Sequence, residues 1–202
     1  MNIAVLASGN GTNFETIAKA IKKGYIKANL KVLITDREDA FVRVRARRFK
    51  IKEIFINPKN FKTRLDFDNQ IIKILKNEKV DLVILAGYMR ILTANFVKTF
   101  KNKILNIHPA LLPAFKGVDA IKRAYNYGCK ITGVTIHFVD EKIDHGPIIF
   151  QEAIKIKDTD TLEKLEERIH DLEHKLYPKA IKLFVEKRLK IKNRWVYIKN
   201  KN

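Results

Sequence analysis

Three polar side chains in the range 104–147 could carry out chemistry together: Asn106, His108 and Asp144. Asn106 and His108 are two residues apart in an apolar run, and in a strand that spacing puts both side chains on one face. Pro109 has no amide hydrogen and ends the strand after His108. The pair would therefore lie at the carboxyl end of a strand, where ligands bind in open α/β sheets. Asp144 follows in a loop from which a carboxylate can turn back toward His108.

An amide, an imidazole and a carboxylate suit acyl transfer through a tetrahedral intermediate. The Asn amide can donate to a developing oxyanion, the His can carry a proton near pH 7, and the Asp can orient the His. Cys129 is the single cysteine and no serine stands in a nucleophile-elbow pattern. The acceptor should therefore be an amine of the substrate. The spacing also allows Asn106 and His108 to be satisfied polar residues at a sheet edge.

The elements that would position these groups alternate between strand and helix. This alternation predicts an α/β fold with a Rossmann-like, mostly parallel sheet and helices on both faces. Strands are predicted at 2–7, 30–35, 53–56, 80–86, 104–108, 131–139 and 151–156, and helices after 13, at 39–49, 64–77, 93–99 and 119–127, and from 161 onward. Thr161 would cap the last helix, and Pro178 would break or kink it. Residues 188–198 predict a β-hairpin, followed by the tail KNKN.

The first strand runs into the sequence SGNGTN at 8–13, directly before a helix. A strand, a glycine-rich turn and a helix start can hold a phosphate with backbone amides and the helix dipole. The third glycine of the dinucleotide fingerprint is missing, because Gly9 and Gly11 are followed by Asn13 and Phe14. A tight strand-to-helix turn without a ligand is the alternative.

Four motifs resemble the folate-dependent formyltransferases: NIHPALLP at 106–113, DHGPI at 144–148, SGNGTN at 8–13 and AGYMRIL at 86–92. The resemblance runs from Met1 to about Leu189. It implies the formyltransferase fold as a single domain over residues 1–202. Within it, 1–100 would be a nucleotide-binding half, 101–189 a folate-binding and catalytic half, and 190–202 a C-terminal hairpin and tail.

The resemblance also implies an activity, with the motifs at 8–13 and 86–92 pointing to one member of the family. That member transfers the formyl group of 10-formyltetrahydrofolate to the amino group of glycinamide ribonucleotide in purine biosynthesis. By this resemblance Asn106 and protonated His108 would stabilise the oxyanion. His108 would also pass a proton to the leaving folate nitrogen, and Asp144 would hold His108 and favour its charged form. No metal is implied.

The binding residues that the resemblance implies fall into two sets. Glycinamide ribonucleotide would be bound by Gly11, Thr12, Asn13 and Glu173. The formyl-folate would be bound by Arg64, Met89, Arg90, Ile91, Leu92, Asn106, Asp140 and Asp144. Without the resemblance, Arg64 would be a surface residue, Met89 and Leu92 core residues, and Glu173 an exposed helix carboxylate. The family motif often has a second proline where this chain has Lys116, which favours a more mobile loop.

Composition narrows the remaining function classes. The chain has 202 residues, a formal net charge of +19 and one cysteine. Basic residues are spread along the chain, so a compositional bias is favoured over nucleic-acid binding, and Arg43, Arg45, Arg47 and Arg48 predict a solvated helix face. A positive field would still steer anionic substrates. The absence of an 18-residue apolar run, of a signal peptide and of a disulfide pair predicts a cytoplasmic protein without a membrane partner. We expect a monomer or a homodimer.

Two alternatives stay open. The first is a related formyl or hydroxymethyl transferase that acts on another amine, such as methionyl-tRNA or a nucleotide-sugar amine. The tRNA enzyme would need a further domain after Leu189. The second is a basic nucleic-acid-binding module on a Rossmann-like scaffold.

Overall fold

The computed structural model describes residues 1–200; residues 201–202, the end of the predicted tail, lie outside the described residues. The chain divides into two compact units, Met1–Leu105 and Asn106 onward. The division falls inside strand β5, Ile104–His108, close to the predicted boundary between residues 100 and 101.

The first unit is built on parallel strands in the order β3-β2-β1-β4. Its elements are β1 Asn2–Leu6, α1 Thr12–Lys22, β2 Asn29–Thr35, α2 Val42–Arg48, β3 Lys52–Phe55, a 3-10 turn Pro58–Asn60, α3 Arg64–Asn77, β4 Leu82–Leu85 and α4 Ala94–Thr99. The side chains of β1 are buried on both faces from Ile3 to Leu6, as expected for a central parallel strand.

The second unit begins with the end of β5 and contains an antiparallel β6/β7 pair. Its further elements are α5 Ala120–Asn126, β6 Ile131–Phe138, β7 Ile148–Lys155, α6 Leu162–Val185, β8 Leu189–Lys192 and β9 Trp195–Ile198. Strand β7 pairs in parallel with β9, and β8 with β9 forms the predicted hairpin. Together the elements make a mixed α/β protein with a mostly parallel sheet, which confirms the predicted fold class.

Helix α6 is the longest element, with 24 residues. Its cap is as predicted, because the Thr161 side chain accepts a hydrogen bond from the Lys164 amide. Pro178 does not break the helix, which runs through it to Val185, so that part of the prediction is wrong, while the alternative of a kink stays a prediction. Tyr177, Pro178 and Ile181 are all buried. The packing of this apolar stripe outweighs the one backbone hydrogen bond that proline removes.

Among residues 1–200 the structure has no helix that is both long enough and apolar enough to cross a membrane.

Candidate active site

The three side chains predicted to do chemistry lie together in the second unit. His108 Nδ1 is 3.4 Å from Asp144 Oδ2, and Asn106 Nδ2 is 3.4 Å from Asp144 Oδ1. Strand β5 ends at His108 and presents Asn106 and His108 on one face, because its side chains alternate. The loop between β6 and β7 supplies Asp144, whose left-handed backbone (φ 44°) turns the carboxylate toward β5.

His108 is buried, with 4% of its surface exposed. An oxygen faces each of its ring nitrogens: Phe115 O lies 3.0 Å from Nε2, and the Asp144 carboxylate lies near Nδ1. Burial lowers the pKa of His108 more than the Asp144 carboxylate and the Phe115 carbonyl raise it. The desolvation cost of the imidazolium therefore favours the neutral ring. The Asp144 carboxylate acts in the opposite direction and favours the charged form, and its role toward His108 in the reaction stays a prediction.

Asp144 carries the negative charge of this cluster. Burial acts to raise the pKa of Asp144, but His137, the Gly117 amide and His108 outweigh it, so its pKa lies below the ordinary value. The Gly117 amide donates to Asp144 Oδ2 over 2.8 Å. This bond joins the loop after Pro113 to Asp144. The Lys116 carbonyl in the same loop accepts a 2.7 Å hydrogen bond from Arg123.

His137 is the residue of this cluster that the sequence reasoning left out. It is 1% exposed, its Nδ1 lies 2.7 Å from Phe138 O, and its Nε2 lies 3.2 Å from Asn106 Nδ2. Its Nε2 also lies 3.7 Å from Asp144 Oδ1, and with a hydrogen on Nδ1 the ring donates to the Phe138 carbonyl. The available signal was its place two residues after Thr135, on the strand that follows β5 in sequence.

Glu173 lies in the buried part of α6 and is 4% exposed. The alternative of an exposed helix carboxylate is therefore wrong. Its Oε2 is 3.0 Å from His170 Nδ1. This hydrogen bond is the largest cause that raises the pKa of His170, and burial opposes it. Glu173 also acts on His108 by its charge, so this carboxylate belongs electrostatically to the same cluster.

Asp140 is half-buried in the loop that carries Asp144. Its Oδ2 lies 2.7 Å from His145 Nδ1, and its Oδ1 accepts a hydrogen bond from the Lys142 amide. The carboxylate is thus engaged within its own loop. Its predicted contact with the folate stays a prediction.

The first unit contains the predicted phosphate turn. Gly11 (φ 80°) caps α1, and a Cβ there would overlap both the side chain and the backbone of Val42. Gly11 is therefore required for packing, and its contact with a phosphate stays a prediction. Arg45 donates to the Asn10 carbonyl (2.9 Å) and side chain (2.6 Å) and pairs with Glu15. The prediction that the α2 arginines form a solvated face is wrong for Arg45, because its guanidinium is hydrogen-bonded to this turn.

Thr12 begins α1 and is half-buried, and Asn13 is 9% exposed on the same first turn. Both side chains thus lie next to the helix N-terminus, which carries partial positive charge. Their contact with a ribonucleotide stays a prediction.

The residues predicted to line a folate pocket in the first unit have varied surroundings. Met89 is 69% exposed and Ile91 is 51% exposed, so the alternative that Met89 is a core residue is wrong. Leu92 is half-buried. The Met89 amide donates to Ser8 Oγ, which in turn donates to Asp36.

Two arginines complete this set. The Arg90 guanidinium lies over the Phe67 ring, 4.8 Å from its centroid, so its side chain is used in packing. Arg64 is exposed at the first turn of α3. An exposed guanidinium at this position can reach an anionic ligand, and its role stays a prediction.

No group of three or more His, Cys, Asp or Glu side chains within residues 1–200 could hold a metal ion.

Comparisons with known proteins agree on one family. Residues 1–181 match the family described as formyl transferase. The phosphoribosylglycinamide formyltransferase of Bacillus subtilis is 46% identical over 179 residues, which cover 89% of this chain and 92% of that protein. The enzyme of the same name from Haemophilus influenzae is 42% identical over 98% of this chain and 94% of its own length.

A solved structure supports the same relationship. The glycinamide ribonucleotide transformylase 1 of Symbiobacterium toebii superposes with a TM-score of 0.97 at 44% identity, covering 99% of this chain and 94% of that one. This chain belongs to the formyl transferase family.

Proposed function

We propose that this chain is a one-carbon transferase that moves the formyl group of 10-formyltetrahydrofolate to the amino group of glycinamide ribonucleotide, a step of purine biosynthesis. The observation that carries the proposal is the cluster of amide, imidazole and carboxylate, with Asn106 and His108 both 3.4 Å from Asp144. Relatives that bear the name of this activity align over about nine-tenths or more of the chain.

Asn106 supplies the oxyanion donor in this proposal. Its Nδ2 lies 3.2 Å from His137 Nε2 and 3.4 Å from Asp144 Oδ1. The second contact is longer than an ordinary N–H···O hydrogen bond. The amide group can therefore give up this weak contact and donate to the formyl oxygen as negative charge develops on it. Removing such a donor typically costs on the order of 10²–10³ in kcat.

His108 moves the proton. Because burial favours its neutral form, the ring can accept the proton that the attacking amine loses and return it to the folate nitrogen that leaves. One carbon–nitrogen bond forms, one breaks, and one proton passes from the amine to the leaving nitrogen. The Asp144 carboxylate stabilises the imidazolium while it exists and keeps the ring oriented.

The binding roles follow the same proposal. Gly11, Thr12, Asn13 and Glu173 would hold the ribonucleotide, with the turn at 8–13 on the phosphate. Arg64, Met89 to Leu92, Asn106, Asp140 and Asp144 would hold the formyl-folate. The protein would act in the cytoplasm on these small molecules, as a monomer or a homodimer and without a nucleic-acid partner.

A formyl-transfer assay with the purified protein tests the proposal. The formation of tetrahydrofolate is followed with 10-formyltetrahydrofolate and glycinamide ribonucleotide, and then with other amines at equal concentration. We expect turnover with glycinamide ribonucleotide at a kcat/KM at least 10²-fold above that with any other amine. Faster transfer to a different amine would reassign the substrate. A folded protein that transferred no formyl group to any amine would refute the reaction class.

A further inference from the structure

The C-terminal hairpin contacts the loop that carries Asp144. Arg194, in the turn between β8 and β9, donates to the His145 carbonyl over 2.6 Å. Its other terminal nitrogen lies 3.2 Å from His145 Nε2 and 3.4 Å from Nδ1, so the guanidinium packs against the imidazole ring. These contacts join residues 49 positions apart in sequence. They attach the hairpin to the residue that directly follows Asp144.

A chain of hydrogen bonds continues from His145 into the loop. His145 Nδ1 lies 2.7 Å from Asp140 Oδ2, and Asp140 Oδ1 accepts from the Lys142 amide at 3.0 Å. With its hydrogen on Nδ1, the His145 ring donates to Asp140, while the Arg194 guanidinium packs against the ring. We call Arg194, His145 and Asp140 the clasp. It connects the turn of the hairpin to Asp140 and His145, which lie before and after Asp144 in the loop.

The loop needs support because its backbone is constrained. Asp144 has φ 44°, a left-handed conformation that is unfavourable for a residue other than glycine. Gly146 packs so closely that a Cβ would overlap the Phe138 carbonyl, and the Phe138 amide donates to the Pro147 carbonyl at 2.9 Å. The base of the loop is thus closed by backbone contacts. The clasp adds side-chain contacts to the same loop, through Asp140 and His145.

We propose that Arg194 is a positioning residue, which acts through His145 to hold Asp144 in the conformation that meets His108 and the Gly117 amide. The proposal rests on the proposed function for its kinetic consequences. Arg194 suits the task because a planar guanidinium can donate to a carbonyl and stack on a ring at once, which an ammonium group cannot.

The expected consequence is a loss in kcat without a loss of nucleotide binding. If the clasp opens, Asp144 can relax from its strained backbone and its carboxylate moves away from His108. A displacement of about 1 Å caused by a residue away from the chemistry can cost about 10²-fold in rate. The turn at 8–13 and Glu173 are outside the clasp, so the KM for glycinamide ribonucleotide should change less than about twofold.

Arg188 provides a matched control on the same hairpin. Its guanidinium donates to the Lys199 carbonyl at 2.8 Å and contacts Glu186 at 3.2 Å, and both partners lie outside the loop. Arg188→Met should therefore weaken the hairpin without moving Asp144. Arg194→Met removes the clasp, and Arg194→Lys keeps the charge but loses the two-point contact.

Kinetics and melting should be measured together on the four proteins. We expect Arg194→Met to lower kcat between about tenfold and 10²-fold, Arg194→Lys to recover part of that loss, and Arg188→Met to keep the wild-type kcat. The acid limb of the pH–rate profile should move to lower pH in Arg194→Met alone, because Asp144 is a cause that raises the pKa of His108. A wild-type kcat and profile in Arg194→Met, or equal losses in both Met variants, would overturn the proposal.

A readout independent of activity separates this proposal from the proposed function. The Gly117 amide bonds to Asp144, so its hydrogen exchange reports whether the carboxylate stays in place. We expect exchange at Gly117 to be at least tenfold faster in Arg194→Met than in wild type and Arg188→Met. Unchanged exchange would refute the clasp even if the enzyme were active. Faster exchange in a protein without formyl transfer would support the clasp and refute only the proposed function.

Discussion

Replacing Asp144 with Asn removes one charge and leaves the shape of the cluster nearly unchanged. An Asn side chain can keep its oxygen where Asp144 Oδ2 accepts the Gly117 amide at 2.8 Å. Its new NH2 group would take the place of Oδ1, which now lies 3.4 Å from Asn106 Nδ2. One weak hydrogen bond is lost, so the free energy of unfolding should fall by only about 1 kcal/mol.

The effect on the rate should be much larger than the effect on stability. Two unit charges about 4 Å apart attract each other by about 4 kcal/mol at the effective dielectric of a protein site. His108 Nδ1 and Asp144 Oδ2 are 3.4 Å apart, so an imidazolium that forms during the reaction loses a stabilisation of this order. Because about 1.4 kcal/mol is a factor of ten in rate, kcat should fall by up to about 10³-fold, with little change in either KM.

The pH dependence provides the sign of the effect. Burial already places the pKa of His108 below its ordinary value, and the Asp144 carboxylate is the largest cause that raises it. Without that carboxylate the pKa of His108 falls further. The neutral ring, which we take as the resting form, then persists to lower pH, and the acid limb of the kcat profile shifts downward even though the maximum rate is lower.

The assay is steady-state formyl transfer with both substrates varied between pH 5 and 9, on wild type and Asp144→Asn, with a circular dichroism melt of each. Asn106→Ala/His108→Ala serves as the cooperativity control, since groups that act on one oxyanion lose less together than the product of their single losses. An Asp144→Asn enzyme that melts like wild type and turns over at the wild-type rate would refute the assigned roles.

Three further predictions concern the turn, the helix and the charge. A Cβ at Gly9 would meet no protein atom within 4 Å, whereas one at Gly11 would overlap Val42. Gly9→Ala should therefore raise the KM for glycinamide ribonucleotide with an unchanged melting temperature, and Gly11→Ala should lower the melting temperature. Equal KM values in Gly9→Ala and wild type would argue against a phosphate at this turn. The pKa of His170 is raised by its hydrogen bond to Glu173. The melting temperature of wild type should therefore exceed that of His170→Gln most at pH values below the ordinary pKa of histidine, and by less as pH rises through the raised pKa. A difference in melting temperature that does not change with pH would contradict the pairing. Nucleic-acid binding at physiological salt should be weak and unselective, because the basic residues are spread along the chain and non-specific phosphate contacts lose affinity steeply with salt. A sub-micromolar selective complex in a filter-binding assay would contradict this.

Much of the fold could be predicted from the sequence, because its strongest signals are local. The apolar run of β1, the spacing of Asn106 and His108 and the Thr161 cap depend on neighbours a few residues away, where periodicity and hydrogen-bonding geometry act directly. The α2 arginines mark a limit of this reasoning. Arg45 looks like a surface residue in its own helix, yet its partners at Asn10 come from 35 positions earlier.

The features of the site also divide into those that depend on neighbours in sequence and those that depend on the tertiary structure. The types and spacing of Asn106 and His108 indicated acyl-transfer chemistry but left a satisfied polar pair at a sheet edge as the alternative, and the four motifs indicated the family. The burial of Glu173, the contact of His137 with Asn106, the lowered pKa of His108 and the attachment of the Asp144 loop by Arg194 depended on the tertiary structure. Each joins residues distant in sequence or depends on how much water the packed chain excludes. Burial and long-range contacts are properties of the whole fold, so a local pattern of residues cannot specify them.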